Sequence, residues 1–352
     1  MGLEIAIAVD GTPDEELAAA AWVEVYERMG EMTTYRIRYD IDISEGDFPT
    51  LVDERLGPGS ELSLIAPLDG KNNYLVKGPV TGQQIHLEHG GACSFVEVSG
   101  CDTSIAMNRE TKTVLWSDLA DSDAVNAIFG IYGYTPDVEP TAAGHFEQKH
   151  TLVQRDTDLQ FVQRLARRNG ALFWITCDEQ GIETAHFKRA PLDGDAANDL
   201  TINLESNNVA VVDITWDAER PTNVVAAQLD LNNKSDIDGD VIASPLASLG
   251  SASLDEIATG SHSLHLVAPV DDAGDLQSRG EAALIEAGWF IRAKCQTTVN
   301  ALKALVRAQT VVNVRGAGSR FSGKYFVCGV RHTIDSASHR MDVELIRNGW
   351  GA

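Results

Sequence analysis

Tyr35, Ile37, Tyr39 and Ile41 alternate along the chain with Arg36, Arg38, Asp40 and Asp42. A period of two sends one set to a buried face and the other to water, the signature of a half-buried strand. The preceding run at 22–26 pairs with it across a turn at Met29-Gly30-Glu31. The alanines at 18–21 are also compatible with a short helix. Further strand patterns cover 61–66, 74–77, 83–88 and 94–99, punctuated by Gly, Pro and Asn. The first hundred residues read as a small barrel or sandwich.

The period then changes. Ala124, Val125, Ile128 and Phe129 recur at helical spacing inside 117–130, with Ser117 as N-cap and Gly130 and Gly133 as stops. Thr157-x-x-Gln160 is a capping box ahead of the apolar stripe Leu159, Val162, Leu165 and Ala166, and Asn169-Gly170 closes that helix. Strands at 171–176 and 182–187 and a loop at 191–199 follow. Strands return at 209–216 and 224–231. A stretch rich in Ser, Asp, Gly and Asn at 232–260 reads as an excursion, and Leu276, Gly280, Ala283, Leu284 and Ala287 mark one face of a helix over 271–287. β-structure resumes at Thr310.

The tail echoes the beginning. Tyr74-Leu75-Val76-Lys77-Gly78 aligns with Tyr325-Phe326-Val327-Cys328-Gly329, and Val96-Glu97-Val98 with Val343-Glu344-Leu345. The economical reading is a duplicated β-module interrupted by an α/β insert. The expected fold is mainly β with an α/β insert: residues 1–100 form a first tube-like β-barrel, 101–200 the smaller α/β domain, and 201–352 a second tube-like β-barrel carrying the excursion and the helix.

Length and charge narrow the function. A chain of 352 residues has room for two or three domains, and 28 basic against 52 acidic residues leave a formal charge of −24. Such a field repels phosphate backbones and anionic lipid, so stable nucleic-acid binding is not expected. No run is long and apolar enough to span a bilayer and the first residues lack a secretory pattern, so no membrane anchor is expected and synthesis is placed in the cytoplasm. Met1-Gly2 lacks the Ser or Thr at position 6 of a myristoylation site. Cys93, Cys101, Cys177, Cys295 and Cys328 contain no C-x-x-C pair and read as reduced, buried thiols.

Candidate chemistry is sparse. Asp236-Ile237-Asp238-Gly239-Asp240 begins like a calcium loop, but Val241 stands where the turn needs Gly and Ala247 where a Glu should close the shell. His86-Leu87-Glu88-His89 lies in a strand pattern, which splits its imidazoles between faces; His145 and His150 are split likewise. Gly316-Ala317-Gly318-Ser319-Arg320 lacks the Lys and the strand-to-helix setting of a phosphate loop and reads as a hairpin turn. Arg164, Arg167 and Arg168 crowd a helix C-terminus, where they offset the macrodipole. Trp116, Trp174, Trp216 and Trp289 are expected in the core. No catalytic residue, cofactor or metal site is assigned.

Three ordered stretches carry a family resemblance. The first runs from Gly78-Pro79-Val80 through Val96 to Gly100-Cys101-Asp102 and on to Ser117-Asp118-Leu119-Ala120. The second is 148–170, with Asp156, Phe161, Arg164-Leu165-Ala166 and Gly170. The third joins Gly323-Lys324-Tyr325-Phe326-Val327 to His332 and Arg347. Together they resemble the hub proteins of contractile tails, the family of the late control gene D protein of tailed phages and of the N-terminal hub half of valine-glycine repeat protein G. The resemblance covers the chain from about residue 75 onward.

It implies a non-enzymatic structural hub, a homotrimer whose six tube-like modules adapt a sixfold tail tube to a threefold spike in a phage or a phage-tail-like injection particle. The implied partners are the chain itself, the tail tube ring, a separate trimeric spike protein, since the chain stops soon after its final strand, and neighbouring baseplate wedge proteins. The implied location is a baseplate assembled after synthesis in the cytoplasm, and the acidic excess is expected on the lumen. A β-rich carbohydrate- or receptor-binding module and a hydrolase are the competing readings.

Overall fold

The computed structural model describes residues 5–41, 50, 53–89, 93–142, 144–147, 151–230, 234–268, 270 and 273–352. The chain is mainly β with a few helices, as its alternating patterns predict. The first strands are β1 (Ala6–Val9), β2 (Thr12–Pro13), β3 (Trp22–Arg28), β4 (Thr34–Asp40), β5 (Glu61–Leu68), β6 (Lys71–His86) and β7 (Phe95–Cys101). Gly30, at φ +77, turns β3 into β4 where the Met29-Gly30-Glu31 turn is expected. The alanine run contributes only a 3-10 turn, Leu17–Ala19. The pattern at 74–77 and that at 83–88 as far as His86 belong to the one long strand β6, which passes through Pro79 and shifts register between Val80 and Gly82.

The middle of the chain packs helices on small sheets. Its strands are β8 (Val114–Trp116), β9 (Leu119–Ala120), β10 (Thr135–Val138), β11 (Gly144–His145), β12 (Leu152–Gln154), β13 (Leu172–Cys177) and β14 (Glu183–Lys188). Helix α1 (Asp121–Ile131) starts later than expected: Ser117 precedes the short strand β9, and Asp123 caps the helix by accepting from the Ala120 N–H at 2.9 Å. Helix α2 (Asp158–Arg168) starts where the capping box puts it, with Thr157 Oγ1 accepting from Gln160 N–H at 3.2 Å. Leu159, Phe161, Val162, Leu165 and Ala166 are buried against Ala124, Val125, Phe129 and Phe173. The motif residues 148–150, His150 among them, lie outside the described residues.

The C-terminal strands are β15 (Asp199–Thr201), β16 (Val212–Trp216), β17 (Asn223–Asp230), β18 (Ser235–Asp238), β19 (Ser263–Leu266), β20 (Ile291–Thr298), β21 (Val311–Arg315), β22 (Gly323–Asp335) and β23 (His339–Arg347). Strand β20 is a correction, since β-structure resumes there, ahead of Thr310. Its apolar positions, Ile291, Ala293 and Cys295, are two of them small, which hides the alternation. Between these strands lie α3 (Leu254–Ile257), α4 (Ala273–Gly288), α5 (Val299–Leu302) and α6 (Gly318–Phe321). Leu276 and Leu284 of α4 cover Val224 and Ala226 of β17 and Val241 of the excursion. The expected start of this helix, 271–272, and residues 232–233 fall outside the described residues.

A single thirteen-stranded sheet joins the two ends of the chain in the order β16-β20-β23-β22-β3-β4-β7-β6-β5-β1-β2, with β21 on β22 and β15 on β21. Two barrels are expected from the sequence; among the described residues no ladder closes either half, because β3 spends one edge on β22 of the other half. Each half has its own core, one around Tyr35, Ile37, Leu64 and Val98, the other around Val312, Tyr325, Val343 and Leu345. No helix among the described residues is long and apolar enough to cross a membrane.

Candidate assembly interface

The two halves repeat each other strand for strand. β3-β4-β7-β6-β5 has the same antiparallel neighbours as β16-β20-β23-β22-β21. The anchor is a bulge, an extra residue that fixes register because ladder pairing changes there. In one half it lies between Val80 and Gly82 against Gly100/Ser99; in the other, between Val327 and Gly329 against Leu345/Glu344. Counting outward from it, Glu24 opposite Arg36 answers to Asp213 opposite Lys294, and Val25 opposite Tyr35 to Ile214 opposite Ala293. The expected alignment of Tyr74 with Tyr325 is therefore corrected: the counterpart of Tyr325 is Gly78, and the true shared signature is Val80-Thr81-Gly82 with Val327-Cys328-Gly329.

Strands β22 and β3 join the halves from Gly329 opposite Arg28 to Asp335 opposite Trp22. Glu27 is buried there and accepts from Arg307 Nε at 2.6 Å and from the Ala308 N–H at 2.9 Å. Burial pushes the Glu27 carboxyl up, against the opposing pull of Arg307. Arg307 also donates to the Tyr74 carbonyl at 2.8 Å, so it ties β3 to β6. His332 is wholly buried, with Nδ1 at 2.9 Å from His339 Nε2 and Nε2 at 3.9 Å from Glu27. Burial, then the neighbouring His339 and Arg307, hold His332 well below the usual imidazole range; burial brings His339 to about 4.

The motif residues fall into three structural groups. The Gly78 carbonyl accepts from Tyr35 OH at 3.2 Å, and a Cβ on Gly100 would stand 2.2 Å from the Tyr35 ring, so β7 approaches β4 that closely only as glycine. Asp102 accepts from the Thr33 N–H at 2.6 Å and, through its other oxygen, from the Ser104 N–H at 3.0 Å. In the helical part, Asp156 accepts from Arg164 Nε at 3.1 Å, Phe161 stacks on Trp116, Leu165 is fully buried and Gly170 follows the C-cap Asn169. Near the C-terminus, Arg347 is fully buried; it donates to the Leu249 and Ser322 carbonyls, and its guanidinium fills the space beside Gly323, at φ +126. Tyr325 OH donates to the Phe321 carbonyl at 2.9 Å, and Val327 is buried. His332 stands apart from all three groups, in the junction.

Several polar candidates serve packing. Asp121 would be pushed up by burial, but hydrogen bonds from His145, Arg168 and Asn169 outweigh it and bring its carboxyl to about 2. His86 lies 3.2 Å from Glu88 and stacks on Phe95. Asp240 accepts from the Ala226 N–H at 2.9 Å. Cys93 is exposed rather than buried, and Trp216 is 55% exposed rather than in the core.

The outward face of the long sheet is mixed in charge. Arg36 pairs with Glu24 and Glu97, Arg38 with Asp40, Lys294 with Glu344, and Arg340 lies near Asp342. Two of the sheet edges that have no ladder partner among the described residues are the second half of β6, whose β5 ladder ends at Pro79, and the outer edge of β16. Both expose apolar side chains, Ile85 and Leu87 beside one, Val211 and Trp216 beside the other. Their exposure is the signal that sequence patterning misses, because Ile85 and Leu87 alternate with polar residues like any half-buried strand.

Solved structures share this architecture. The 43 kDa tail protein of prophage MuSo2 from Shewanella oneidensis is similar at TM-score 0.67 and 14% identity, covering 98% of this chain and 98% of that one. The tail protein from Neisseria meningitidis MC58 is similar at TM-score 0.69 and 14% identity, over 99% of this chain and 97% of that one. The c3393 protein of E. coli, a type VI secretion system component described as structurally similar to the T4 bacteriophage tail proteins gp27 and gp5, is similar at TM-score 0.59 and 14% identity, over 97% of this chain and 76% of that one. At such identities the likeness is one of fold. No curated protein matches the sequence. A family model does, over residues 2–336, and by that match the chain belongs to the family described as the Alg8 N-terminal domain.

Proposed function

We propose that the chain is the structural hub of a contractile phage tail or phage-tail-like injection particle, a homotrimer that adapts a sixfold tube to a threefold spike. The observation that carries this reading is the five-on-five strand repeat. Three chains with two equivalent modules each offer six similar units, while the inserts repeat only three times. The fold shared with the Shewanella and Neisseria tail proteins supports it.

In this reading residues 1–100 and 201–352 are the tube-like modules and 101–200 the α/β insert. Gly78, Gly100, Asp102, Asp156, Phe161, Arg164, Leu165, Gly170, Gly323, Tyr325, Val327, His332 and Arg347 are framework residues of those parts. The role is mechanical rather than enzymatic. The partners are the tail tube ring, a separate trimeric spike and the baseplate wedge proteins, met in a baseplate assembled after synthesis in the cytoplasm. The test is reconstitution with the tube and spike proteins of the same particle. Co-sedimentation with both, three chains per spike trimer, is expected; failure to bind either contradicts the reading.

A further inference from the structure

The strand repeat matches the open edge of β6 with the open edge of β16. Where β22 lies along β3, His332 opposite Val25 and Ile334 opposite Val23 make a row that is fully buried. Carried across the bulge that anchors the repeat, Gly329 through Asp335 correspond to Gly82 through Glu88, so Ile85 stands for His332 and Leu87 for Ile334. On the other strand Val23 corresponds to Val212, Glu24 to Asp213 and Val25 to Ile214.

At the open edges the same row is apolar but only partly covered. Ile85 is 45% exposed and Leu87 53%; on β16, Val212 and Ile214 are half-buried against the C-terminal core, and Trp216 further along the same face, the counterpart of buried Glu27, is 55% exposed. Exposed apolar strand edges are templates for pairing with another chain. Here the matching edge is on the same polypeptide but at the far end of the sheet, seven ladders away.

We propose that the second half of β6 pairs antiparallel with β16 of a second copy of this chain, in the register Ile85–Ile214, His86–Asp213 and Leu87–Val212. This contact reproduces between chains the β22–β3 contact within one chain. Apolar residues meet on the core side, and an imidazole meets a carboxylate on the outer side. The contact is head to tail, so it propagates until the rotation closes a ring. The inference deepens the hub reading and takes only the number of copies from it.

Paired cysteines test the register, in a Cys93→Ser background that removes the exposed thiol. Two variants place the pair in register, Ile85→Cys with Ile214→Cys and His86→Cys with Asp213→Cys; Ile85→Cys with Trp216→Cys is shifted by two. Adjacent pairs in an antiparallel ladder alternate between wide and close, so one in-register pair has disulfide geometry. Under mild oxidation it should form reducible covalent dimers and closed trimers about tenfold faster than the shifted pair. His86→Asp should weaken association, and adding Asp213→Lys should restore it, with circular dichroism of the monomer unchanged throughout.

Equal rates for shifted and in-register pairs, or a chain that stays monomeric at every concentration reached, would overturn the inference. Association with cross-links only in another register defeats the register and leaves the hub reading standing. In-register cross-links in an assembly that ignores tube and spike proteins do the reverse.

Discussion

The ladder of β22 on β3 and the bare edges of β6 and β16 occupy equivalent places in one repeated framework, and they differ in one respect. In the first place the strands have each other, and His332, Ile334, Val23 and Val25 are fully buried. In the second place each strand has a partner on one edge only among the described residues, and Ile85 and Leu87 are about half exposed. The comparison teaches that exposure at such a position reports a missing neighbour rather than a polar design. Burying Ile85 and Leu87 would each recover about 1 kcal/mol, taking roughly half of a full side-chain burial.

The largest way to break the filled side is at Arg307. Arg307→Ala leaves Glu27 buried without its cation, and such losses cost about 3–5 kcal/mol. Chemical denaturation should show that drop, and Glu27→Gln added to Arg307→Ala should recover part of it. An unchanged midpoint would mean that Arg307 does not hold the halves together. Leu165→Ala should cost about 2–5 kcal/mol, because the site is fully buried. Leu165 belongs to the core of the α/β part and to neither edge strand, so this variant sharpens the comparison: association of the folded fraction should be unchanged.

Acid should also find the filled side first. His332 and His339 are held neutral in the fold, below an ordinary value of 6.5, with His339 at about 4. The unfolded chain then binds more protons, so the histidines' contribution to stability is flat above about pH 6.5 and falls as pH drops toward 4, by about 3 kcal/mol for His339 alone. Glu27, whose carboxyl is raised, contributes the opposite slope above 4.5. His339→Gln should flatten the acid limb in denaturant titrations at several pH values; an unaltered limb would assign the loss to other groups. The smallest effect belongs to the open side: Ile85→Lys should change monomer stability by less than about 0.5 kcal/mol, as surface changes do, while abolishing association.

Local signals were legible wherever neighbours in sequence decide the outcome. The Thr157 and Gln160 box sets the start of α2, and the alternation around Tyr35 sets β4. Long-range features were less so. The duplication was visible, yet the Tyr-x-Val-x-Gly match that suggested it is out of step with the ladders, because register is fixed by a bulge in the β6–β7 and β22–β23 ladders that the side-chain pattern does not mark. Strand β20 was hidden by Ala293 and Cys295, which are too small to stand out. Arg307 and Glu27 are separated by most of the chain, and nothing local to either announces the pair. The open edges needed both the ladders and the exposures.

The central claim is that copies of this chain complete one another's sheet, and the mass of the purified chain in solution tests it most directly. Light scattering across a concentration series should approach three times 38.0 kDa, and Ile85→Lys should return the mass to 38.0 kDa without loss of fold. A wild-type chain that stays at 38.0 kDa at every concentration, or a trimer indifferent to Ile85→Lys, would contradict the account.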